Sequence, residues 1–217
     1  MNFYLRLTKK SNDLQIITRA KNMLLSPASE WTAISAESET PQSLLGKYVI
    51  PMTLIPAIAF FIGYGLIGWD LFGTHIGSIH WGLVMAIRSW VSSILSYFIC
   101  TYVVDALAPN FSSPKDLGRS AQLVAYASTA VWVAGIFYIL PSLGFLGFLG
   151  LYSIYLFYLG IPVMKKTPDD KRIVYMIVSA IVIILISYVV MLVVERIIFA
   201  ITGNPFLGVG GMGDMFH

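Results

Sequence analysis

The sequence predicts an all-α, polytopic membrane protein with five transmembrane helices, preceded by amphipathic interfacial helices at the N-terminus. Three observations indicate this fold class. The 217-residue chain is 57% hydrophobic and only 12% charged, about half the charged fraction of an average globular protein. It contains five apolar stretches long enough to cross the roughly 30 Å hydrocarbon core of a bilayer. Its Lys and Arg residues flank these stretches, which is the pattern that orients membrane proteins.

The five apolar stretches divide the chain into a membrane domain and two flanking segments. We predict transmembrane spans at about residues 48–68, 81–108, 120–140, 142–164 and 173–201. They form a membrane domain over residues 44–202, between an N-terminal segment over residues 1–43 and a flexible tail over residues 203–217. Because almost nothing separates the third and fourth spans, these two must form a tight antiparallel hairpin.

The distribution of basic residues predicts the orientation. Every Lys or Arg outside a predicted span lies before the first span, between the second and third, or between the fourth and fifth. Cytoplasmic loops carry the excess of Lys and Arg. We therefore expect the N-terminus in the cytoplasm and the C-terminus on the opposite side.

The N-terminal segment contains two short amphipathic helices. Apolar residues recur at near-helical spacing on one side of the first helix, namely Leu14, Ile17, Ala20, Leu24 and Leu25. Ser26 and Pro27 then cap and restart the chain as a second helix. Trp31 on this helix is the predicted interfacial anchor, at the level of the lipid headgroups. The alternative, compatible with the first, is that the segment packs on the cytoplasmic ends of the spans.

Four ionisable residues lie inside the predicted spans, where each costs about 2.5–3.5 kcal/mol on insertion scales. Counted at about 1.5 Å per residue, Arg88 lies about 10 Å and Glu195 about 9 Å inside the same membrane face. We therefore predict an ion pair that joins the second and fifth spans. Arg196 points away from Glu195 and is expected to reach outer headgroups. Asp105 lies near the inner face, within reach of Lys47 or Arg119.

A row of hydroxyl groups continues from Arg88 along the second span. Ser92 and Ser96 follow Arg88 at four-residue intervals, so the three residues share one helix face. Small hydroxyl residues on one face are typical of helix contacts in membranes. The alternative is a polar path for a solute.

The fourth span has a three-residue repeat. Its first half carries Gly144, Gly147 and Gly150, and its second half carries Tyr152, Tyr155 and Tyr158. In an α-helix three residues advance by about 300°, so such rows wind around the helix as ridges. We predict that the glycines form a groove for a neighbouring helix. The tyrosines are predicted to pack between helices, with the lining of a cavity as the alternative.

No catalytic, cofactor or metal site is predicted. A G-x-G-D sequence at Gly211–Asp214 matches intramembrane aspartyl proteases but lies in the tail, and the Tyr-Asp partner motif is absent. A G-x-G-x-x-G sequence at Gly208–Gly213 does not follow a strand, so dinucleotide binding is not supported. His75 and His80 lack the further carboxylate or thiol ligands that a metal site needs. Cys100 is expected to be a buried, inert thiol. The net charge of +3 does not indicate a nucleic-acid partner.

Three stretches carry a family resemblance. They are N-M-L-L-S-P-A-S-E-W at Asn22–Trp31, A-Y-A-S at Ala125–Ser128, and the glycine- and tyrosine-rich run from Leu140 to Gly160 with the K-K-T-P that follows at Lys165–Pro168. In order and spacing they resemble the bacterial branch of the Yip (Ypt-interacting protein) family of small five-span membrane proteins. The resemblance covers about residues 22–194.

The resemblance implies a bacterial inner-membrane protein with five spans, a cytoplasmic N-terminus and an exposed C-terminus. Eukaryotic members work in Golgi and endoplasmic-reticulum trafficking and associate with small GTPases. Their D-L-Y-G-P motif precedes the first span, whereas the sequence D-L-F-G at residues 70–73 follows it here and lacks the proline. A GTPase partner is therefore unsupported.

Two functions follow from the sequence. The first is a non-enzymatic protein that organises the bilayer, itself or other membrane proteins through its interfacial helices and glycine faces. The alternative is a small transporter or channel for an ion, a small solute or a lipid. In that function Arg88, Asp105 and Glu195 lie near the pathway.

Overall fold

A computed structural model of the chain describes residues 15–71 and 74–203. The described residues form five helices long and apolar enough to cross a membrane, which confirms the predicted fold class. We number them spans 1 to 5, over Pro41–Ile67, Ile79–Phe111, Leu117–Ile139, Pro141–Lys165 and Asp169–Thr202. The predictions for the glycine-rich tail and for Leu14 lie outside the described residues.

Shorter elements flank and connect the spans. Helix α1 covers residues 15–25 and helix α2 covers Pro27–Ser35. Strands β1 (Trp69–Leu71) and β2 (Thr74–Ile76) pair antiparallel between spans 1 and 2, where the sequence predicted only a loop. We call the end of the bundle with this hairpin the hairpin end. The opposite end, with α1, α2 and the connections between spans 2 and 3 and between spans 4 and 5, is the basic end.

All five spans begin earlier than the sequence predicted, and spans 1 and 5 differ most, by seven and four residues. Thr40, in the predicted N-terminal segment, caps span 1, because its Oγ1 accepts a hydrogen bond from the Ser43 amide at 3.1 Å. Span 5 begins at Asp169 and has 34 residues, which corresponds to about 51 Å at 1.5 Å per residue. It therefore extends beyond the hydrocarbon core.

Span 3 is the centre of the bundle. It packs against spans 1, 2 and 4. Of the residues in its most apolar 18-residue stretch, 61% are buried. Span 5 lies at the periphery and packs mainly on span 2. Only 17% of the residues in its most apolar 18-residue stretch are buried. The single residue Leu140 separates spans 3 and 4, so these two spans form the tight hairpin that the sequence predicted.

Span 4 changes its helical geometry along its length. Its first eleven residues, Pro141–Leu151, form a 3-10 helix that we call the 3-10 segment, and only Tyr152–Lys165 is α-helical. The expectation of α-geometry for the glycine repeat was wrong. A 3-10 helix has three residues per turn, so side chains at i and i+3 eclipse. The three-residue repeat therefore places the glycines on one straight face.

The glycine face lies flat on span 3. A Cβ atom at Gly147 would lie 2.7 Å from the hydroxyl oxygen of Tyr138, and one at Gly150 would lie 3.1 Å from the Cα of Val131. Gly144 faces the ring of the same tyrosine. The 3-10 segment therefore stays against span 3, whereas the α-helical half of span 4 also packs on span 5.

Close approaches also fix span 1. A Cβ atom at Gly82 of span 2 would lie 2.4 Å from the Cα of Gly65, and one at Gly135 of span 3 would lie 2.5 Å from the Cβ of Pro56.

Span 1 contains two π-helical stretches, Leu45–Val49 and Phe61–Ile67. These are irregularities of the kind that prolines and π-bulges introduce into membrane helices.

Trp31 does not lie among lipid headgroups, which corrects its prediction as an interfacial anchor. The residue is 0% exposed, and its Nε1 donates a hydrogen bond to the Leu156 carbonyl of span 4 at 3.0 Å. Its ring fits over Gly160, where an added Cβ would lie 2.7 Å from the Trp31 Cζ2. The absence of a side chain at this position allows α2 to dock on span 4, as the packing alternative predicted.

The predicted apolar stripe of α1 is divided between two faces. Ala20 is buried against the bundle, as is Met23, which the predicted stripe did not include, whereas Ile17 and Leu25 are 66% and 72% exposed. The reason is that Arg19 also faces the bundle, where it forms an ion pair with Glu30 at 2.8 Å. A charged contact thus sets the rotation of α1.

Substitution of Gly160 tests the docking of α2. We expect Gly160→Ala to destabilise the protein by about 1–3 kcal/mol, the usual cost of overpacking, because the added Cβ meets both Trp31 and Leu123. The measurement is thermal unfolding in detergent. Gly46→Ala is the matched control, since nothing lies within 4 Å of that Cβ. Equal melting temperatures for the two variants would contradict the packing of Trp31 over Gly160.

Candidate intramembrane cavity

A cavity of about 550 Å³ lies within the bundle, between spans 2, 3, 4 and 5. This volume is in the roughly 300–1,000 Å³ range of small-molecule sites. Among the described residues that line it, the polar ones are mainly serines: Ser89, Ser92, Ser93, Ser96, Ser128, Ser153 and Ser187. Along span 2 the lining runs from Arg88 to Cys100, which is about 18 Å of helix. The cavity therefore extends through more than half of the hydrocarbon core.

The predicted hydroxyl face of span 2 forms one wall of this cavity. Arg88, Ser92 and Ser96 all line it, so this face borders a void instead of filling a helix contact. The Ser92 hydroxyl is buried and has no hydrogen-bond partner among the described residues. In contrast, Ser93 donates to the Ser89 carbonyl at 2.8 Å. At least one hydroxyl on this helix face is therefore buried without a described partner.

The opposite walls are largely apolar, and their serines are engaged in local structure. Ser128 donates to the Val124 carbonyl at 2.7 Å. Ser153 accepts a hydrogen bond from the Val131 amide at 3.1 Å, which links spans 3 and 4. Large apolar side chains complete the lining, including Phe60, Trp132, Phe157, Ile183 and Met191. The interior thus suits a mostly apolar molecule with few polar groups.

Arg88 and Glu195 lie at the hairpin end of the cavity. The structure brings the two side chains together, with Arg88 Nη1 donating to Glu195 Oε2 at 2.9 Å. The side chains are 19% and 28% exposed, so the bundle encloses most of the pair. This contact ties span 5 to span 2. Arg196 is exposed on the outside of span 5.

Asp105 corrects a second expectation, because its cationic partner is Lys165. The Lys165 ammonium lies 3.0 Å from Asp105 Oδ1 and also donates to the Ser120 hydroxyl at 2.8 Å. The Lys165 side chain is 0% exposed, and a buried ammonium needs a hydrogen-bonded counter-ion. The residues expected to pair with Asp105 bind elsewhere, Lys47 to Glu39 and Arg119 to the Glu37 carbonyl.

The sequence signal for this pair was that Lys165 lies at the end of span 4. The count of basic residues that predicts orientation treats Lys165 only as a loop residue. Asp105 also accepts hydrogen bonds from the Asp116 amide at 2.8 Å and from Ser120 at 3.0 Å. Asp116 in turn caps span 3 through the Arg119 amide. The network therefore joins spans 2, 3 and 4 at the basic end.

Charged contacts outside the spans hold the N-terminal helices. Burial opposes the charge of Arg19 most strongly, but the hydrogen bond to Glu37 and the nearby carboxylates outweigh it and raise the pKa of Arg19. The guanidinium also lies 5.5 Å from the ring centre of Tyr126. For Glu39, burial raises the pKa, but hydrogen bonds from Lys47 and Ser43 give a net lowering.

At two of its three positions the tyrosine row of span 4 packs on a neighbouring helix, which agrees with the predicted packing role and not with the cavity alternative. Tyr152 donates to the Leu24 carbonyl of α1 at 3.2 Å, and Tyr155 is 48% exposed. Tyr158 lies under the Arg172 guanidinium, 4.0 Å from its ring centre. Because this half of span 4 is α-helical, a three-residue step turns each tyrosine toward a different neighbour. None of the three lines the cavity.

The remaining candidates add no catalytic group to the cavity. Cys100 is buried at the basic end of its lining. Within the described residues, no three His, Cys, Asp or Glu side chains cluster in a way that could hold a metal. The side chain of His75 and the Gly208–Asp214 motifs lie outside the described part of the chain.

Comparison with known proteins gives a family and two distant relatives. The family model described as the Yip1 domain matches residues 21–191. The inner membrane protein YohC of Escherichia coli strain K12 is 26% identical over 117 residues, which cover 53% of this chain and 60% of the relative. YohC of Escherichia coli O6:H1 gives the same values. The match thus spans less than two thirds of these relatives. No solved structure matches the chain significantly.

The Arg88–Glu195 pair is tested by charge reversal. We expect Arg88→Glu to destabilise the protein by about 1.5–3 kcal/mol, the range for hydrogen bonds to charged groups, because two carboxylates then face each other. Adding Glu195→Arg restores much of this loss. Thermal unfolding of both variants in detergent is the measurement, with Arg196→Glu as the exposed control. A double variant no more stable than Arg88→Glu would refute the pairing.

The Asp105–Lys165 pair is tested by removing its cation. We expect Lys165→Met to destabilise the protein by about 3–5 kcal/mol, because Asp105 keeps its charge without a counter-ion. The control is the next residue: Lys166→Gly is expected to be neutral or stabilising, because Lys166 is exposed and has φ of 49°, a conformation that glycine adopts freely. Unfolding in urea gives both values. A tolerated Lys165→Met would contradict the structural role of the pair.

Proposed function

Because the chain belongs to the Yip1 domain family of multi-pass membrane proteins, we propose that it is a small, non-enzymatic transporter that takes a solute or lipid into the cavity between spans 2, 3, 4 and 5. The observation that carries this proposal is the hydroxyl face of span 2 on the cavity wall. Burying a hydroxyl without a partner costs about 1–3 kcal/mol by protein mutational data. Apolar side chains would fill the space at lower cost, so the retained hydroxyls favour a ligand site.

The two intramembrane ion pairs support a transport pathway by their positions. Arg88 and Asp105 lie 17 residues apart on span 2, or about 26 Å along the helix. Arg88 binds Glu195 at the hairpin end and Asp105 binds Lys165 at the basic end. The cavity lies between the two pairs. Each pair can close one end of a pathway, and rearrangement of one pair then exposes the cavity to one side at a time.

The orientation and location belong to the same proposal. We place the basic end in the cytoplasm, because Lys115 and Lys166 lie in the connections at that end and Lys171 lies in the first turn of span 5. The location is the bacterial inner membrane, which is also where the names of the two YohC relatives place them.

A second function, the organisation of the bilayer or of membrane partners, has support at α1. Ile17 and Leu25 are exposed on this helix with Lys21 between them, a pattern that suits a membrane surface. The glycine face that motivated this function is less favourable to it, because Gly144, Gly147 and Gly150 already pack on span 3. The cavity therefore leads us to put transport before organisation, which the sequence alone had put first.

Flux in liposomes tests the proposal. Purified protein is reconstituted, and the permeability to protons, potassium and glycerol and the flipping of a fluorescent phosphatidylcholine are measured. We expect at least one of these rates to exceed that of protein-free liposomes, and Ser92→Leu to lower it, because the larger side chain fills the cavity. Ile99→Leu, on an exposed position of the same span, leaves the rate unchanged. Background rates for all four, with folded protein, would contradict transport.

A further inference from the structure

We infer that the ligand of the cavity is a phospholipid of the surrounding bilayer, which inserts an acyl chain sideways between the 3-10 segment of span 4 and span 5. The inference rests on the proposed function, because it takes the same cavity as the ligand site. It adds the chemical class of the ligand and its route of entry.

The route follows from how span 4 is packed. Its α-helical half contacts span 5, whereas the 3-10 segment packs on span 3 and makes no comparable contact with span 5. Phe148 and Leu151 on the segment are 58% and 63% exposed, and Ile184 on span 5 is 55% exposed. All three also line the cavity, so they form the rim of a lateral opening. At this depth of the spans, an exposed apolar side chain faces lipid.

The class of ligand follows from the chemistry of the walls. A hydrated ion or a sugar would lose its hydrogen bonds to water and find few replacements, because the lining is mostly apolar and the Ser93 and Ser128 hydroxyls already donate to backbone carbonyls. An acyl chain has no hydrogen bonds to lose and matches the apolar lining. Such a chain also reaches the opening without leaving the hydrocarbon core.

The hairpin end of the cavity can receive the phosphate of the headgroup. Arg88 lines the cavity there, about 10 Å inside the membrane face when counted along span 2. A guanidinium has five N–H donors, and the described contacts of Arg88 use one of them, toward Glu195. The other donors are free to bind phosphate oxygens, for which arginine is well suited.

Photolabelling tests the inference directly. The full-length protein is reconstituted in phosphatidylcholine liposomes that contain a minor fraction of phosphatidylcholine with a diazirine in the middle of one acyl chain. After irradiation, the labelled residues are mapped by mass spectrometry. We expect adducts on the cavity wall at Ser92, Ser96 and Ile154, as well as on lipid-facing positions. Ser96→Trp fills the cavity and is expected to lower the wall adducts several-fold.

Matched controls separate the cavity from the lipid-facing surface. Leu95→Trp, one residue away and 42% exposed, is expected to leave the wall adducts unchanged. Ser187→Phe fills the cavity from span 5 and repeats the test if Ser96→Trp does not fold. Adducts confined to exposed positions such as Ile99 and Leu185 overturn the inference. If a water-soluble solute still permeates, the proposed transport stands without the lipid; if neither is seen, both proposals fail.

Discussion

The contact between the glycine face of span 4 and span 3 is the feature on which the shape of the membrane domain depends. Gly144, Gly147 and Gly150 repeat at the period of a 3-10 helix, and the resulting flat face lies against Val131 and Tyr138. A helix held this closely to span 3 cannot also cover span 5. The space left between them is the cavity, and the serine face of span 2 forms its opposite wall.

Two ion pairs lie at the two ends of this space. At the hairpin end Arg88 holds span 5 through Glu195, and at the basic end Lys165 holds span 4 through Asp105. Each pair lies where one ionised partner alone would be costly in a membrane. Together they fix the ends of spans 4 and 5 on span 2. The middle of the bundle is left incompletely filled, which is where we propose that a ligand binds.

The sequence predicts the features that depend on long apolar runs and on depth, and it misses those that depend on local geometry. Five spans and the hairpin at Leu140 follow from length alone, and the meeting of Arg88 with Glu195 follows from matching depths. The 3-10 geometry was missed because three-residue spacing was interpreted with the rotation of an α-helix. The position of Trp31 was predicted wrongly because its ring packs over Gly160, which has no side chain and lies 129 positions away in the chain. Lys165 was counted as a loop charge because nothing in one sequence shows that it folds back onto Asp105.

The central claim is that the serine face of span 2 borders an open space instead of a helix contact. It is tested most directly by oxygen accessibility of a nitroxide spin label at Ser96→Cys, in a Cys100→Ala background in liposomes. We predict an accessibility close to that of a label at Leu95→Cys, which faces lipid, and well above that of one at Val104→Cys, which is 0% exposed. An immobile label at position 96, as inaccessible to oxygen as the one at position 104, would contradict the account.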